Sequence, residues 1–420
     1  MIASLSDTGK IRRYSHYALL GTLTFYAMLL PFSDAFTTFT GPYVLLLFWI
    51  AEGGIKKKFQ AIVDNNALLF LWLFFLFNVF SLLWSADLHE GIHTLKYYSA
   101  IALVATIVST SLRNRQEHIV VLGAFLVAMF VSEVLSYGIF LGWWQTARGT
   151  PLNPTPIMHH VLYSIFLSVT ALLLLGQLFD PRIDRRLKIL EAVFLFSSTA
   201  NLFLNGGRTG QLAFIVALFV FFFSYFGYRI RYLFFIALGA MSLVWGAYSL
   251  SPIFHDRVHQ GLSDLRHIRA GNLDNSWGLR IAMKEIALPL VKAHPVVGVG
   301  IGDILDEFHR AAEVSDMPNK AFLTRTIHVH DQFLQITLQI GLLGLALFIA
   351  FLIALLRRSP AARVDRSVFY AVLTVYIVAF FIDVPLRSYC SGLFAFIVGY
   401  FMNQTTKNDP LMSSSQAKNS

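Results

Sequence analysis

The sequence has little charge and almost no cysteine. Of its 420 residues only 14% are Asp, Glu, Lys or Arg, whereas soluble domains contain about 25%. This shortage excludes an ordinary soluble globular protein. The single cysteine, Cys390, excludes an intrachain disulfide bond and a cysteine-ligated metal cluster. Redox chemistry that depends on a cysteine pair is excluded for the same reason.

Long apolar runs take the place of the missing charge. Hydrophobic residues make up 56% of the chain and aromatic residues 15%, and many runs approach the length of about 20 apolar residues that a membrane-spanning helix needs. The sequence therefore predicts an all-α polytopic membrane protein with about twelve transmembrane helices. The predicted spans are residues 15–32, 39–51, 67–84, 95–112, 119–143, 161–179, 190–204, 211–226, 232–250, 331–356, 368–382 and 388–402.

The loops between these spans predict one domain with a defined orientation. Lys and Arg gather in alternate loops, as at residues 56–58, 113–115, 182–188 and 357–366, and flanking positive charge stays cytoplasmic. Both termini are then cytoplasmic, and the net charge of +9 reflects topology rather than nucleic-acid binding. We expect residues 1–403 to form a single transmembrane domain that includes a periplasmic loop at 251–327, and residues 404–420 to form a disordered cytoplasmic tail.

The long loop contains one clear helical pattern. Leu279, Met283, Ile286 and Val291 recur at helical spacing, which predicts an amphipathic helix that Pro289 kinks or ends nearby. The glycine run at residues 298–302 lacks the lysine of a phosphate-binding loop and has no βαβ setting, so it is interpreted as a turn rather than a nucleotide site.

Histidines concentrate on the side predicted to face outward. His159 and His160, or His328 and His330, are possible metal ligands, but residues two apart do not share a helix face and no acidic ligand follows at a typical spacing. We therefore predict no metal site. His330 begins the tenth span, where its alternatives are a catalytic role and that of a hydrogen-bonded residue at a helix end.

Isolated cations at the outward ends of spans are the other candidate site residues. Arg208 follows Gly206 and Gly207 in a short turn, and Arg280 begins the amphipathic helix. A cation at the hydrocarbon edge usually has an anionic partner or a function, although it can also extend to lipid headgroups. Weaker candidates for binding the same anion are Lys96, Arg148 and Arg387. A lipid or anion transporter would also use such cations, but the spans carry little charge and the sequence shows no internal repeat.

Three of these features together resemble the O-antigen ligase and polymerase superfamily. His330-Asp331, nine residues, Gly341, two residues and Gly344 resemble the family's His-Asn/Ser/Gln-x9-Gly-x-x-Gly pattern, with Asp331 where the family usually has an uncharged polar residue. Arg208 looks like the family's arginine before a helix rich in small residues. Residues 279–300, with their arginine, His-Pro and Gly-x-Gly, resemble the family's loop.

The resemblance implies a glycosyltransferase with a glycosyltransferase-C-like fold. The implied activity is that of an O-antigen ligase in lipopolysaccharide biosynthesis, which transfers a preassembled glycan from undecaprenyl diphosphate to a sugar hydroxyl of the lipid A-core acceptor. The implied place is the periplasmic face of a Gram-negative inner membrane, among membrane lipids and without nucleic acid, metal, nucleotide or other cofactor.

The resemblance also implies roles for the site residues. Arg208 and Arg280 would bind the diphosphate, assisted by Lys96, Arg148 and Arg387, and the transfer would invert the anomeric carbon. His330 would be the base for the acceptor hydroxyl, or would only bind the diphosphate or orient the acceptor. An O-antigen polymerase and a protein O-oligosaccharyltransferase of the same superfamily remain alternatives, because they use the same donor with another acceptor.

Overall fold

The computed structural model of the protein describes residues 2–227, 230–317 and 319–406. The regular secondary structure of this part of the chain is helical apart from one β-bridge between Thr150 and Asn153. The first ten helices are α1 (Ile2–Leu29), α2 (Gly41–Ala51), α3 (Ile55–Val63), α4 (Asn66–Phe80), α5 (Leu88–Ser111), α6 (Arg115–Phe140), α7 (His160–Phe179), α8 (Arg185–Leu204), α9 (Arg208–Phe226) and α10 (Ile230–Leu250). The remaining helices are α11 (Pro252–Arg269), α12 (Ser276–Ala293), α13 (Ile304–Val314), α14 (Lys320–Leu323), α15 (Gln332–Arg357), α16 (Arg363–Phe380) and α17 (Tyr389–Thr406). A π-helical segment, Ala35–Thr40, precedes α2.

Each predicted span coincides with one of these helices. Within the described ranges, 7 helices are long and apolar enough to cross a membrane, or up to 9 if each of two sharply bent pairs is one span. One bend, of 104°, lies between α10 and α11, where Ser251 caps the new helix and Pro252 occupies its first position. The architecture is that of a polytopic helical membrane protein, while the count of about twelve spans stays a prediction.

Helix α7 forms the centre of the bundle. Residues 163–176 are all buried, and α7 packs against α8, α9 and α16. Its Ser164 faces Gly207, in the α8–α9 turn, and Gly210, in α9, so closely that a Cβ atom on either glycine would overlap it. Small residues at such a crossing let two backbones approach, which is how membrane helices pack tightly. The start of α9, and with it Arg208, is thereby fixed against α7.

The charged loops at one end of the bundle, here called the basic end (residues 52–58, 113–117, 180–186 and 358–366), pair largely with each other. Glu52 accepts from Lys58 at 2.8 Å and also pairs with Arg113. Arg182 lies 2.8 Å from Asp180 and 3.5 Å from Asp365. The loops that the sequence predicted to share one side of the membrane thus lie together. The other end, here called the histidine end, consists of residues 148–160, 205–208, 328–331 and 382–387.

Helix α15 is broken in the middle, at Ile340 and Gly341. Gly341 has φ +66°, and a Cβ atom there would overlap the carbonyl oxygen of Val296. The loop after α12 fills the break: Val299 N donates to Leu338 O at 2.8 Å. The other bonds of this strap are Gly300 N to Gln339 O at 3.1 Å, Leu342 N to Pro295 O at 2.8 Å and Leu343 N to Val296 O at 3.3 Å. The loop therefore replaces the helical hydrogen bonds that the break removes, as an apolar environment requires.

This break gives the glycine-rich segments a specific role. The run at 298–302 is a turn, as predicted, and it is bonded to α15 rather than free. The backbone conformation of Gly341, which is open to glycine, permits the break in α15. The spacing between His330 and Gly341 is thus also a backbone requirement of a helix that is interrupted at Gly341.

The segment at 251–327 packs onto α15 through the predicted amphipathic helix. Helix α12 buries Ala282, Met283, Ile286 and Ala287, which form a small core with α13 and with Leu338 of α15. The helix continues past Pro289 for four residues, to Ala293. At the other end of the chain, residues 404–406 extend α17, and residues 407–420 of the predicted tail lie outside the described residues.

Candidate active site

His330 lies in a short loop just before α15, in an unusual backbone conformation. Its φ of +51° is in the left-handed region, which costs a non-glycine residue about 1–3 kcal/mol. Neighbouring bonds hold it there: Val329 N donates to Gln335 Oε1 at 3.3 Å, and Thr326 Oγ1 donates to the His328 carbonyl at 2.9 Å. The imidazole is therefore presented by a fixed loop, and Gln335, one of two glutamines near the start of α15, has a defined role in fixing it.

A buried carboxylate, Asp383, lies beside both histidines of this loop. Its Oδ1 is 3.3 Å from His330 Nδ1 and 3.7 Å from His328 Nε2. When His330 donates its Nδ1–H to this carboxylate, its Nε2 is the unprotonated nitrogen that accepts a proton. Gln332 holds the turn that carries Asp383 by accepting a hydrogen bond from Leu386 N at 3.1 Å.

The local electrostatics keep this carboxylate ionised. Burial alone would raise the pKa of Asp383, but the hydrogen bond from His330 and the charges of both histidines outweigh burial and lower the pKa to about 2. Burial lowers the pKa of His328 to about 4, although the charge of Asp383 opposes this shift. At neutral pH the group thus holds one negative charge beside His330, which stabilises positive charge on the ring when it accepts a proton.

Arg280 lies next to Asp383 and is anchored to backbone oxygens. Its Nε donates to the carbonyl of Ile382 at 3.1 Å, and its Nη1 donates to the carbonyl of Ser276 at 2.8 Å. Burial lowers the pKa of Arg280, while the charge of Asp383 opposes that shift. Neutral carbonyls orient the guanidinium without cancelling its charge, and Nη2 has no hydrogen bond among the described residues. Such a group is suited to bind an anion.

Arg208 begins α9 on the same side of the bundle and is only loosely paired. Its Nη1 is 3.7 Å from Asp264 Oδ2, which is too long for a hydrogen bond. Its charge interacts with those of Arg257 and Arg280 as well as Asp264. Arg257, on α11, lies against the backbone of Gly206, where a Cβ atom would be 3.0 Å from Arg257 Nη2. Three arginines thus face two carboxylates, which leaves a local excess of positive charge.

The structure therefore brings Arg208, Arg280 and His330 to one site. The link runs from Arg208 to Arg280 through interacting charges, from Arg280 to the backbone at Ile382 by a hydrogen bond, and from Asp383 to His330 by direct contact. Of the glycines before Arg208, Gly207 admits the close approach of α7, and Gly206 lies against the side chains of Arg257 and Asn153. The arrangement provides fixed positive charge beside an imidazole oriented by a carboxylate.

The three weaker candidates differ in position. Arg387 is ion-paired with Glu90 at 2.7 Å, and its charge reaches His328. Arg148 is exposed, and its charge reaches His159 at the rim of the site. Lys96 instead projects over the ring of Phe39, 5.4 Å from its centroid, and no contact among the described residues links it to the arginine and histidine group. Their binding of the diphosphate stays a prediction.

Asp331, the residue next to His330, acts on the helix rather than on the imidazole. Its Oδ1 accepts from Leu334 N at 3.0 Å as the N-cap of α15. Its Oδ2 lies 2.8 Å from Lys284 Nζ on α12. The aspartate at this position therefore clamps α12 to the start of α15, while the carboxylate that orients His330 is Asp383, 53 residues further along.

His328 and His330 lie in a loop before α15 rather than on a helix, so the geometric reason for predicting no metal site there is wrong. Asp383 supplies an acidic group beside them. Ligand atoms of the three side chains lie within 4.8 Å of one another, and a pair of histidines with one carboxylate suits a divalent transition metal. Metal dependence is therefore a question for experiment.

Sequence reasoning missed Asp383, Asp264 and Arg257. Asp383 did carry a signal, since it is an acidic residue at the end of a predicted span, where an unpaired charge is costly. Asp264 and Arg257 lie among many polar residues of α11, and nothing local separates them from residues that face water. Only the 104° bend at Ser251 places their helix over the start of α9.

Fold and site together define a multi-pass helical membrane protein with a cationic site beside a histidine and aspartate pair. Residues 192–349 match the family model described as O-antigen ligase, and this match supports an O-antigen ligase-type family for the chain. Members of this family are glycosyltransferase-like ligases and polymerases. The matched segment contains Arg208, Arg280, His330, Gly341 and Gly344, whereas Asp383 lies outside it. No curated protein matches the chain.

Proposed function

We propose that the protein is an O-antigen ligase that transfers a preassembled glycan from undecaprenyl diphosphate to a sugar hydroxyl of lipid A-core oligosaccharide. The observation that carries the proposal is the meeting of Arg208, Arg280 and His330 with Asp383 at one end of the bundle. The family match supports this reaction class. The orientation that goes with it has the histidine end facing the periplasm of a Gram-negative inner membrane and both termini in the cytoplasm, with residues 1–403 as one domain.

The proposed reaction is a direct displacement at the anomeric carbon. The acceptor hydroxyl gives its proton to His330 Nε2 as its oxygen forms a bond to the anomeric carbon, and the bond from that carbon to the diphosphate oxygen breaks on the opposite face. The product is inverted, and undecaprenyl diphosphate leaves with the bonding electron pair. Because a diphosphate is already a stabilised anion, no acid need protonate it, in contrast to the paired carboxylates of glycosidases.

The side chains divide this work according to their surroundings. Arg280 and Arg208 neutralise charge that grows on the diphosphate as the bond breaks, a type of stabilisation worth about 10²- to 10³-fold per donor. Asp383 positions His330 and stabilises the imidazolium, as a carboxylate does in a catalytic triad. The site lies next to the helix ends, where a polyprenyl-linked diphosphate would have its headgroup.

The decisive assay combines purified full-length protein, lipid-linked glycan and lipid A-core acceptor, without nucleotide. We expect ligated product in wild type and its loss in His330→Ala. The acid-side limb of the pH–rate profile, where activity rises as a base loses its proton, should also be lost. A merely structural His330 would leave that titrating limb in the residual activity. A parallel reaction with EDTA tests the metal geometry: unchanged activity supports displacement assisted by arginine alone, and loss that Zn²⁺ or Mn²⁺ restores would overturn it.

The acceptor distinguishes the family alternatives. In a deletion strain, loss of a ligase leaves lipid A-core without O-antigen, whereas loss of a polymerase leaves a single repeat attached. Loss of a protein O-oligosaccharyltransferase would leave lipopolysaccharide intact and its target proteins without glycan. A transporter of lipids or anions would form no covalent product in the purified assay.

A further inference from the structure

A cavity lies at the basic end, remote from His328 and His330. It is a cleft of about 940 Å³ between α6 and α8, floored by α7, α16 and α17, near the upper limit of the ~300–1,000 Å³ typical of ligand sites. Its walls are apolar side chains at helical spacing, among them Ile119 and Leu126 of α6 and Leu190 and Val193 of α8. The outer residues are lipid-facing, since Ile119 is 58% and Leu190 65% exposed in the isolated chain.

The two walls meet at one end of the cleft only. Phe130 and Phe194 contact edge to face with centroids 5.6 Å apart, and one turn deeper Ser197 Oγ donates to Glu133 Oε2 at 2.8 Å. Toward the basic end the cleft continues between α6 and α8 as far as Arg115 and Leu187. From Arg115 to Phe130 the wall of α6 is about 22 Å long at 1.5 Å per residue. That length exceeds the ~15 Å of one leaflet's hydrocarbon, so an acyl chain fits along it.

A buried carboxylate faces into this cleft. Glu191, on α8, is 6% exposed, and its Oε2 has no hydrogen-bond partner among the described residues although it lines the cleft. Lys188 and Asp180 lie within electrostatic range without bonding to it. A carboxylate at membrane depth is costly unless it has a partner. A hydrogen-bond donor that entered the cleft from outside the chain would supply such a partner.

The other charges at the mouth indicate the chemistry of that donor. Asp180, Asp184, Asp365 and Glu191 line the cleft together with only two arginines, Arg115 and Arg182. Arg182 is already paired with Asp180 and Asp365, whereas Arg115 is exposed and no ion pair to it occurs in the described ranges. An anionic headgroup would meet an excess of carboxylates. A headgroup with both a phosphate and a primary ammonium matches Arg115 and Glu191 at once.

We propose that this cleft binds one aminophospholipid of the adjacent leaflet, with its ammonium donating to Glu191, its phosphate near Arg115 and an acyl chain along α6 and α8. Phosphatidylcholine has the same phosphate and chains, but its quaternary ammonium has no N–H to donate. Phosphatidylglycerol lacks the cation altogether. The site is separate from the glycan-transfer site and stands or falls independently of it.

Lipid retention by the purified full-length protein tests the proposal. The protein is mixed in detergent with dioleoyl phosphatidylethanolamine, phosphatidylcholine or phosphatidylglycerol, and bound lipid is counted by native mass spectrometry. We expect wild type to retain one phosphatidylethanolamine about tenfold more strongly than either other lipid, the effect of one hydrogen bond to a charged group. Equal retention of the three lipids by wild type would overturn the proposal without any variant.

Two matched pairs of variants locate the site. Glu191→Gln should abolish the preference for phosphatidylethanolamine, while Glu285→Gln, at an exposed carboxylate on α12, should keep it. Gly123→Trp should exclude the lipid, because Gly123 lines the cleft with open space around it; Gly21→Trp, also in open space but on α1, should not. A Gly123→Trp protein that still holds the lipid would refute the location. Protection of the buried Cys390 from a maleimide dye verifies that each variant is folded.

Discussion

The two ends of the bundle use the same side chains in opposite ways. At the basic end Glu52 is shared by Lys58, Arg113 and His16, so charge is matched by charge. At the histidine end Arg387 is also ion-paired, with Glu90, but Arg208 has one distant carboxylate. Arg280 of α12, which contacts this end at Ile382, is held by two backbone carbonyls. Arginines paired with carboxylates stabilise a structure, whereas arginines oriented by neutral groups keep their charge available for a ligand. The candidate active site therefore differs from the basic end in how its arginines are held rather than in how many there are.

The sharpest test of this contrast replaces one arginine at each end. Arg280→Ala should lower kcat/KM for glycan transfer by about 10²- to 10³-fold, because it removes a donor that binds the developing diphosphate charge. Arg113→Ala should leave transfer close to wild type and lower only thermal stability. Rates measured with saturating acceptor check both variants, and an equal loss of activity in the two would contradict the distinction.

The two aspartates near His330 provide the next test. Asp383→Asn should lower kcat by about 10- to 100-fold with little change in KM, because it removes the partner that orients and stabilises the imidazole. Asp331→Asn should be nearly neutral, since asparagine is also an effective N-cap. Steady-state kinetics of both variants decide the matter. If Asp331→Asn has the larger effect, the carboxylate that positions His330 has been wrongly assigned.

The break in α15 predicts a large effect on stability. Gly341→Ala should lower the free energy of unfolding by about 2 kcal/mol or more, because alanine is strained at φ +66° and its Cβ meets the strap at Val296. Gly239→Ala, in open space on α10, should instead be neutral or stabilising. The reaction of buried Cys390 with a thiol dye during heating reports both. Equal melting temperatures for the two variants would show that the break tolerates a side chain.

The smallest expected effect is a pH dependence of stability. His328 has a folded-state pKa of about 4, below the ~6.5 of an unfolded histidine, so protons bind the unfolded state more tightly. The contribution of this residue to the free energy of unfolding is complete above pH ~6.5. It decreases by about 1–3 kcal/mol as the pH falls toward 4. Asp383, with a pKa of about 2, adds its loss only below pH ~4. His328→Asn should flatten melting temperatures between pH 6.5 and 4, and an unchanged slope would count against the neutral buried histidine.

Much of the helical architecture could be predicted from the sequence, because apolar length is a direct requirement of crossing a bilayer. Boundaries differ where charged turns remain helical: the span predicted at 190–204 begins at Arg185 in α8. The break in α15 could not be predicted, since its hydrogen bonds come from residues 295–300, some forty positions earlier. Gly341 by itself is equally compatible with close packing of helices.

The cations and the imidazole of the candidate site could be predicted from the sequence, whereas its carboxylates could not. Arg208, Arg280 and His330 stand at the ends of hydrophobic runs or beside recognisable motifs, where charge is conspicuous. Asp383 becomes meaningful only when the turn between α16 and α17 is placed against the loop at residue 330. Asp264 and Arg257 depend on the direction of α11, which follows from a bend that no local residue pattern specifies.

Because α15 is interrupted at Gly341, the number of residues between His330 and Gly341 determines how far the imidazole lies from the break. Ten residues separate His330 from Gly341, and the nine of them that belong to α15 span about 13 Å. Both ends of that interval are fixed, one by Asp331 and Lys284 and the other by the strap from residues 295–300. One residue inserted between them would turn the imidazole by about 100° around the helix axis relative to the strap. The number of residues in this interval therefore sets both the position of the imidazole along the helix axis and its direction around that axis. The length of the interval is as much a functional property as the identity of the residues at its ends.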